Sequence, residues 1–189
     1  MTQQTGDGDV IDVLLAQHAR IEDLFAATLN SRGDERRERF DELVRLLAVH
    51  ETAEEEIVHP YAQVTIDSGP AVVADRLAEE RRAKQMLAEL YENGTDTTDF
   101  DRRLIALRDA VLTHAKHEER YEFTYLRAAV DPEQLHAMAA TVLAAEALAP
   151  TRPHPGIESA AANLVLGPPL ATVDRARDLM RARRGGGSE

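Results

Sequence analysis

The chain of 189 residues contains no cysteine and no tryptophan, and only 4% of its residues are aromatic. Without cysteine it cannot form disulfides, thiolate metal sites or iron–sulfur clusters, and it has no thiol nucleophile. It also lacks an apolar run near the roughly 18 residues that a membrane span requires. The polar segment 1–9 has no feature of a signal peptide. From these absences we expect a cytoplasmic protein with no membrane partner.

The charge of the chain is strongly of one sign. It has 34 acidic residues against 22 basic ones, which gives a formal net charge of −12. Because an acidic protein repels phosphate backbones, we expect no nucleic-acid partner. Hydrophobic residues make up 43% of the chain and charged residues 30%, as is typical of a folded domain. Few aromatic residues beside many Ala, Leu, Glu and Arg favour helices.

Apolar residues recur at helical spacing in five segments. The first begins at Asp9, a predicted cap, and the second begins near Asp34. The second contains Pro60, which should kink it or bend its last turn. The others cover about 71–91, 98–129 and 132–149. We predict an all-α fold, an up-down-up-down four-helix bundle over residues 9–130 followed by an additional helix at 131–149.

Residues 150–189 differ in composition from the rest. A proline-rich linker at 150–156 precedes a basic amphipathic stretch at 169–184, and the segment holds six arginines against four acidic residues. We expect a C-terminal helical appendage here. Its positive charge would let it pack on the acidic bundle, contact a protein partner or join two copies of the chain.

Pairs of histidine and glutamate mark the candidate site. His50 precedes Glu54 by four residues, and His114 precedes Glu118 by four, so each pair lies on one helix face. Both pairs, and His18, share that face with apolar residues and therefore point to the core. Buried polar groups are costly unless satisfied. Iron, manganese or zinc would satisfy them; a hydrogen-bonded core network is the alternative.

The order of these motifs resembles the hemerythrin-like (HHE cation-binding) family over about residues 9–130. The resemblance is carried by His18, by His50-Glu51-Thr52-Ala53-Glu54 with Pro60 following, and by His114-Ala115-Lys116-His117-Glu118-Glu119-Arg120. It implies a four-helix bundle that holds an oxo- or hydroxo-bridged di-iron centre. Carried over by position, the implied metal ligands are His18, His50, Glu54, His114 and Glu118, and the two glutamates are the implied bridges.

One position departs from the family pattern. Members usually have a further histidine on the third helix in a Glu-Glu-His setting, whereas this chain reads Glu79-Glu80-Arg81. Arginine stays protonated and cannot bind a metal. Either Glu80 or His59 supplies the missing ligand, or the second metal is weakly held or absent. In the third alternative, Arg81 pairs with Glu54 or Glu118 and converts the site into a charged core network.

His59 is the weaker replacement on spacing alone. It follows His50 by nine residues, which places it on the far side of a straight helix, unless the disturbance at Pro60 turns it inward.

The leading functional hypothesis is a hemerythrin-like non-haem iron protein, di-iron by resemblance, that binds or reacts with O2, peroxide or nitric oxide. A ligand-poor site favours peroxide turnover or sensing over O2 carriage. The alternative is a metal-free helical interaction or scaffold protein in which Arg81 neutralises the buried acids. A mononuclear metal hydrolase or transferase ranks last, because no substrate-recognition motif supports it.

Overall fold

The computed structural model describes residues 8–148, and these form five helical rods without a strand. The rods are α1 (Val10–Asn30), α2 (Gly33–Ala53) continued through a π-helical segment π1 (Glu54–Val58) into α3 (His59–Thr65), α4 (Gly69–Asn93), α5 (Phe100–Glu118) continued through π2 (Glu119–Phe123) into α6 (Thr124–Ala129), and α7 (Pro132–Leu148). The all-α bundle is thus confirmed. Ala149 and the expected appendage at 150–189 lie outside the described residues.

Short connections with specific caps join the rods. Asp9 caps α1 as predicted: its carboxylate accepts from the backbone N–H of Ile11 and Asp12, and its own backbone N–H donates to the Asp12 carboxylate. Between α3 and α4 the backbones approach so closely that a Cβ at Gly69 would lie 2.4 Å from the Ala62 carbonyl oxygen. Glycine is therefore required at this turn.

The apolar core is divided into two clusters by a polar layer. One cluster, at the end of the bundle that includes α7, contains Leu14, Ile57, Val73 and Phe123, and the other contains Ile21, Leu47, Ala83 and Val111, among others. Along each of the four ligand-bearing rods, the histidines and glutamates of the predicted site come between a residue of one cluster and a residue of the other. The candidate site is therefore enclosed by apolar packing above and below it.

The disturbance expected at Pro60 takes the form of a widened turn. Within π1 the chain uses about one more residue per turn than an α-helix, and the His59 N–H bonds to the Glu54 carbonyl, five residues back. Every side chain after the widened turn is thereby rotated relative to a regular helix. Among the helices of residues 8–148, none combines the length and apolar character that a membrane crossing demands.

Candidate metal centre

The polar layer gathers every residue that the sequence proposed as a ligand. All of them are at least nine-tenths buried: His18, His50, Glu54, His59, Glu80, His114 and Glu118. Glu122, which the sequence analysis did not propose, is fully buried among them. The four rods thus deliver imidazoles and carboxylates to one enclosed volume.

A first group of ligand atoms comes from α1, α2, π1 and α5. One atom from each of His18, His50, Glu54 and Glu118 lies within 4.8 Å of the others. His50 Nε2 is 3.2 Å from Glu54 Oε1, and His18 Nε2 is 3.4 Å from Glu118 Oε2. Two imidazole nitrogens and two carboxylates therefore converge on one point.

A second group lies beside the first and shares both of its carboxylates. Glu54, Glu80, His114 and Glu118 each place one atom within 4.8 Å of the others, and His114 Nε2 is 3.3 Å from Glu118 Oε1. Because Glu54 and Glu118 have two oxygens each and belong to both groups, they stand where bridging carboxylates between two cations would stand.

Buried atoms in this layer are left without hydrogen bonds. His18 Nε2, His114 Nε2 and both carboxylate oxygens of Glu54 and of Glu118 have no partner of acceptable geometry within the described part of the chain. Such atoms are costly in a protein interior. Cations placed between these atoms would satisfy all of them, so the donor set fits a metal.

The other nitrogen of each of these imidazoles is held by an acceptor. His18 Nδ1–H donates to Glu119 Oε1 at 2.9 Å, and His114 Nδ1–H donates to Glu79 Oε2 at 3.1 Å. His50 Nδ1 is 2.9 Å from Gln17 Oε1. Metal-binding histidines in proteins almost always donate their second N–H in this way, because the bond fixes the tautomer and the ring orientation.

Burial sets the protonation of the layer. It lowers the pKa of His18, of His50 and of His114, the last to about 4 despite the opposing effect of Glu79, so these imidazoles are neutral at pH 7. It raises the pKa of Glu54 and Glu118 well above the usual range, and the neighbouring carboxylates raise it further. The neutral imidazoles can therefore bind a metal directly, whereas a metal competes with protons for the two glutamates, whose pKa is raised.

His59 lies inside the layer because of π1. Nine residues after His50 correspond to about 180° in a regular α-helix, but the extra residue in π1 reduces the offset to about 80°. Its Nδ1–H donates to Glu122 Oε1 at 2.8 Å and its Nε2–H to Glu80 Oε1 at 2.7 Å. Burial alone would lower the pKa of His59, but these two bonds outweigh it and raise the pKa to about 11.

His59 is thus a buried cation braced between two carboxylates. It also approaches Glu118 and Glu122 closely enough to form a third potential group, but both of its ring nitrogens are engaged as donors. Its hydrogen bond to the second ligand group is made with Glu80.

The proposed pairing of Arg81 with the buried acids is wrong. The inward face of α4 carries Arg76, Glu80 and Ala83, and Arg81, one residue beyond Glu80, is exposed. The positive charge near the acids comes instead from His59 and from Lys84, whose Nζ lies 3.4 Å from Glu51 and 3.9 Å from Glu80 and also contacts Glu55. The hypothesis of a metal-free network neutralised by Arg81 therefore loses its neutralising residue.

Three outer residues of the site were missed by the sequence analysis. Gln17, Glu79 and Glu119 hold the Nδ1 atoms, and each is adjacent in sequence to a proposed ligand or its neighbour. No spacing rule identifies such residues, because their partners lie on other rods. Glu122 could have been found, since it continues the four-residue spacing of His114 and Glu118 along the same rod.

A small enclosed cavity adjoins the inward histidines. Its volume is about 10 Å³, which is room for about one water-sized group. His18, His50 and His114 line it together with apolar side chains, among them Leu47 and Val111. A molecule of more than a few atoms would not fit this cavity.

The family model described as "Hemerythrin HHE cation binding domain" matches residues 9–144. The chain belongs to this family. The match covers all four rods that carry the ligand groups and most of α7, so the buried layer is the candidate cation site of a cation-binding domain.

Two individual proteins are similar to this HHE-domain chain. A crystal structure of a hemerythrin HHE cation-binding domain-containing protein from Mycobacterium kansasii superposes with a TM-score of 0.68, at 20% identity, over 90% of this chain and 99% of that one. This likeness shows the fold. A "DNA nickase" from Nostoc sp. is 26% identical over 141 residues, which are 74% of this chain. The match spans only 40% of the nickase.

Proposed function

We propose that this HHE-domain chain is a non-haem iron protein that holds two iron ions and binds or reacts with a small ligand such as O2, peroxide or nitric oxide. The observation that carries the proposal is the pair of buried ligand groups that share Glu54 and Glu118. Because each shared glutamate has two carboxylate oxygens, it can bind one ion in each group. Two shared glutamates therefore suit two metal ions held side by side.

Charge in the layer supports loading with two divalent ions. When ionised, Glu54, Glu80, Glu118 and Glu122 contribute four negative charges, of which His59 offsets one. The remaining charge is buried, where it is tolerated only with compensation. Two divalent cations would supply that compensation.

The donor set favours iron over a softer or harder ion. Three imidazole nitrogens and three carboxylates suit iron, manganese and zinc, and the absence of thiolates argues against metals that prefer sulfur. Membership of a family named for hemerythrin leads us to place iron first, with manganese and zinc as alternatives.

Glu80 is the proposed replacement for the third-helix histidine. It lies in the second ligand group, whereas both ring nitrogens of His59 are engaged as donors, to Glu80 and to Glu122. We therefore assign Glu80 as a ligand and His59 as the residue that orients it. A carboxylate in place of an imidazole adds a negative charge, and the cationic His59 offsets that charge at 2.7 Å.

The size of the cavity sets the class of ligand. With room for about one water-sized group, it suits a diatomic molecule or peroxide and disfavours a hydrolase or transferase of larger substrates. When bound, a pair of iron ions supplies exchangeable electrons for such ligands. The protein contributes apolar walls that exclude water, neutral imidazoles, and two carboxyl groups, Glu54 and Glu118, whose pKa is raised by burial.

Nucleic acid remains outside the proposed partners, despite the likeness to a DNA nickase. The chain spans less than half the length of that protein, and its net charge of −12 opposes the approach of a phosphate backbone. Location in the cytoplasm remains part of the proposal.

The test is the optical response of the iron-loaded chain to azide, peroxide and nitric oxide, added separately. We expect new absorption bands with at least one of them. His50→Ala should weaken the response, whereas His136→Ala, which removes an exposed imidazole of α7, should leave it unchanged. An iron-loaded chain that responds to none of the three ligands would contradict the proposed reactivity.

A further inference from the structure

A chain of two hydrogen bonds connects α7 to His50. His50 Nδ1 lies 2.9 Å from Gln17 Oε1, and the Gln17 Nε2–H donates to Glu146 Oε2 at 3.0 Å. Gln17 is buried and Glu146 is half-buried near the end of α7. The helix α7 supplies none of the proposed ligands, yet it comes within two hydrogen bonds of one.

Glu146 fixes the order of donors and acceptors along these two hydrogen bonds. A carboxylate can only accept, so Glu146 must face the NH2 end of the Gln17 side chain. The amide oxygen is then turned toward His50 and can also only accept. His50 Nδ1 must therefore carry the ring proton, which leaves the lone pair on Nε2 and directs it into the first ligand group.

Without these two hydrogen bonds, His50 could adopt the other tautomer. Its Nε2 lies 3.2 Å from Glu54 Oε1, and a proton on Nε2 could be donated to that carboxylate. In that tautomer the nitrogen that faces the ligand group has no lone pair for a metal. Deep burial keeps His50 neutral, so the choice between the two tautomers decides whether it can act as a ligand.

The other two inward histidines are controlled more directly. His18 and His114 donate from Nδ1 to Glu119 and Glu79, which are carboxylates on neighbouring rods. For His50 the carboxylate stands one amide away, and on the only rod of the described five that carries no proposed ligand. Among the three inward histidines, His50 is therefore the one whose ring proton depends on the position of α7.

We propose that Glu146 and Gln17 are positioning residues that set the tautomer of His50, and that α7 is by this means a working part of the metal centre. The metal aspect rests on the proposed function; the tautomer itself does not. Any change that moves the end of α7 away from Gln17 would release the amide and lower the affinity of the first ligand group.

Glu146→Lys should reverse the direction of both hydrogen bonds, because it replaces the acceptor at position 146 by a donor. The introduced ammonium can only donate, so it draws the amide oxygen of Gln17 to itself and turns the NH2 end toward His50. His50 Nδ1 must then accept, and its proton moves to Nε2. Adding Gln17→Glu to this variant restores an acceptor for His50 Nδ1, because the introduced carboxylate pairs with the introduced ammonium and still faces the ring. Glu133→Lys is the matched control, with the same charge change at an exposed site of α7.

Two measurements on the full chain test the proposal. The 15N chemical shifts of the His50 ring in the metal-free protein report which nitrogen carries the proton. Competition with a chelator reports the affinity for ferrous iron. We expect the proton on Nδ1 in the original chain and on Nε2 in Glu146→Lys, with about a tenfold loss of iron affinity. The double variant should restore both properties, and Glu133→Lys should change neither.

The proposal is overturned if Glu146→Lys keeps the proton on Nδ1, or if the double variant does not restore it. Gln17→Leu provides a second route if the charged variants do not fold, since it removes the acceptor without adding charge and should also move the proton to Nε2. Failure of the original chain to bind iron would contradict the proposed function alone, because the tautomer is measured without metal.

Discussion

The two ligand groups of the candidate metal centre share Glu54 and Glu118 but are completed by different residues. The first is completed by His18 and His50, both neutral and adjoining an apolar cavity. The second is completed by His114 and Glu80, and Glu80 is braced by the cationic His59 and approached by Lys84. The first half is therefore completed by two neutral imidazoles, and the second by one neutral imidazole and one carboxylate that a cation accompanies.

This difference shows how a family pattern tolerates the loss of a histidine. A carboxylate that replaces an imidazole adds a buried negative charge, which is destabilising unless a cation accompanies it. Here the cation comes from His59, which π1 rotates into the layer. The carboxylate on α4 (Glu80) and the widened turn π1 on the neighbouring rod thus depend on each other, because π1 brings in the cation that offsets the charge of Glu80.

The largest expected effect comes from a carboxylate that both halves share. Glu54→Gln keeps the shape but removes the charge and one metal-binding oxygen, so we expect iron affinity in both halves to fall by at least about a hundredfold, more than the loss of an outer residue. The metal-free protein should be unharmed or stabilised, by up to about 1 kcal/mol in the free energy of unfolding, because a desolvated carboxyl is removed.

Chelator competition and thermal unfolding measure the two effects of Glu54→Gln. Glu133→Gln, which neutralises an exposed carboxylate on α7, is the control and should change neither. Retention of both irons at full affinity in Glu54→Gln would rule out the shared carboxylate.

The halves should separate when one histidine is removed from each. His18→Ala deletes a donor from the first group and His114→Ala deletes one from the second, so each variant should lose one of two irons while the helical circular dichroism is kept. Metal analysis after exhaustive dialysis gives the ratio. Equal loss of both irons in either variant would show that the halves do not bind separately.

Three consecutive residues of α4 should give three graded effects. Glu80→Ala removes a ligand of the second half and should release its iron. Glu79→Ala removes no ligand but takes away the acceptor of His114 Nδ1, along with the bonds from Arg76 and His117, and should cost about tenfold in affinity. Arg81→Ala, at an exposed position, should have no effect. Iron titrations of the three variants decide the order, and an effect of Arg81→Ala as large as that of Glu80→Ala would contradict the assignment.

The smallest effect concerns protons released on metal binding. Burial raises the pKa of Glu54 and of Glu118 well above the usual range, whereas it lowers the pKa of the inward histidines, which have no proton to release at neutral pH. Loading should therefore release protons from these carboxyls, and iron affinity should rise with pH through their pKa values. Titration in weak buffer with a pH indicator measures the release. Uptake of protons would contradict the sign.

Periodicity was enough to predict the fold and the burial of five histidines and glutamates. His50 with Glu54 and His114 with Glu118 follow from four-residue spacing on an apolar face, a local property of one helix. His18 follows from its stripe on α1. Their convergence on shared points then depends only on regular bundle packing.

The remainder depends on features that a helical repeat does not encode. The inward turn of His59 requires the extra residue of π1, and no regular spacing contains it. The alternative in which Arg81 pairs with the buried acids was wrong because Arg81 lies one residue, about 100° of helix rotation, beyond Glu80. The family pattern drew attention to position 81, but the apolar face of α4 turns Glu80 inward and leaves Arg81 exposed. Gln17, Glu79 and Glu119 depend on neighbours from other rods.

The central claim is that two buried ligand groups hold two metal ions between them. Metal analysis of the full chain, purified after expression with iron and corrected for protein by amino-acid analysis, tests it most directly. The structure leads us to expect about two irons per chain, falling to about one in Glu80→Ala. One iron in both proteins, or none above background in the original chain, would contradict the claim.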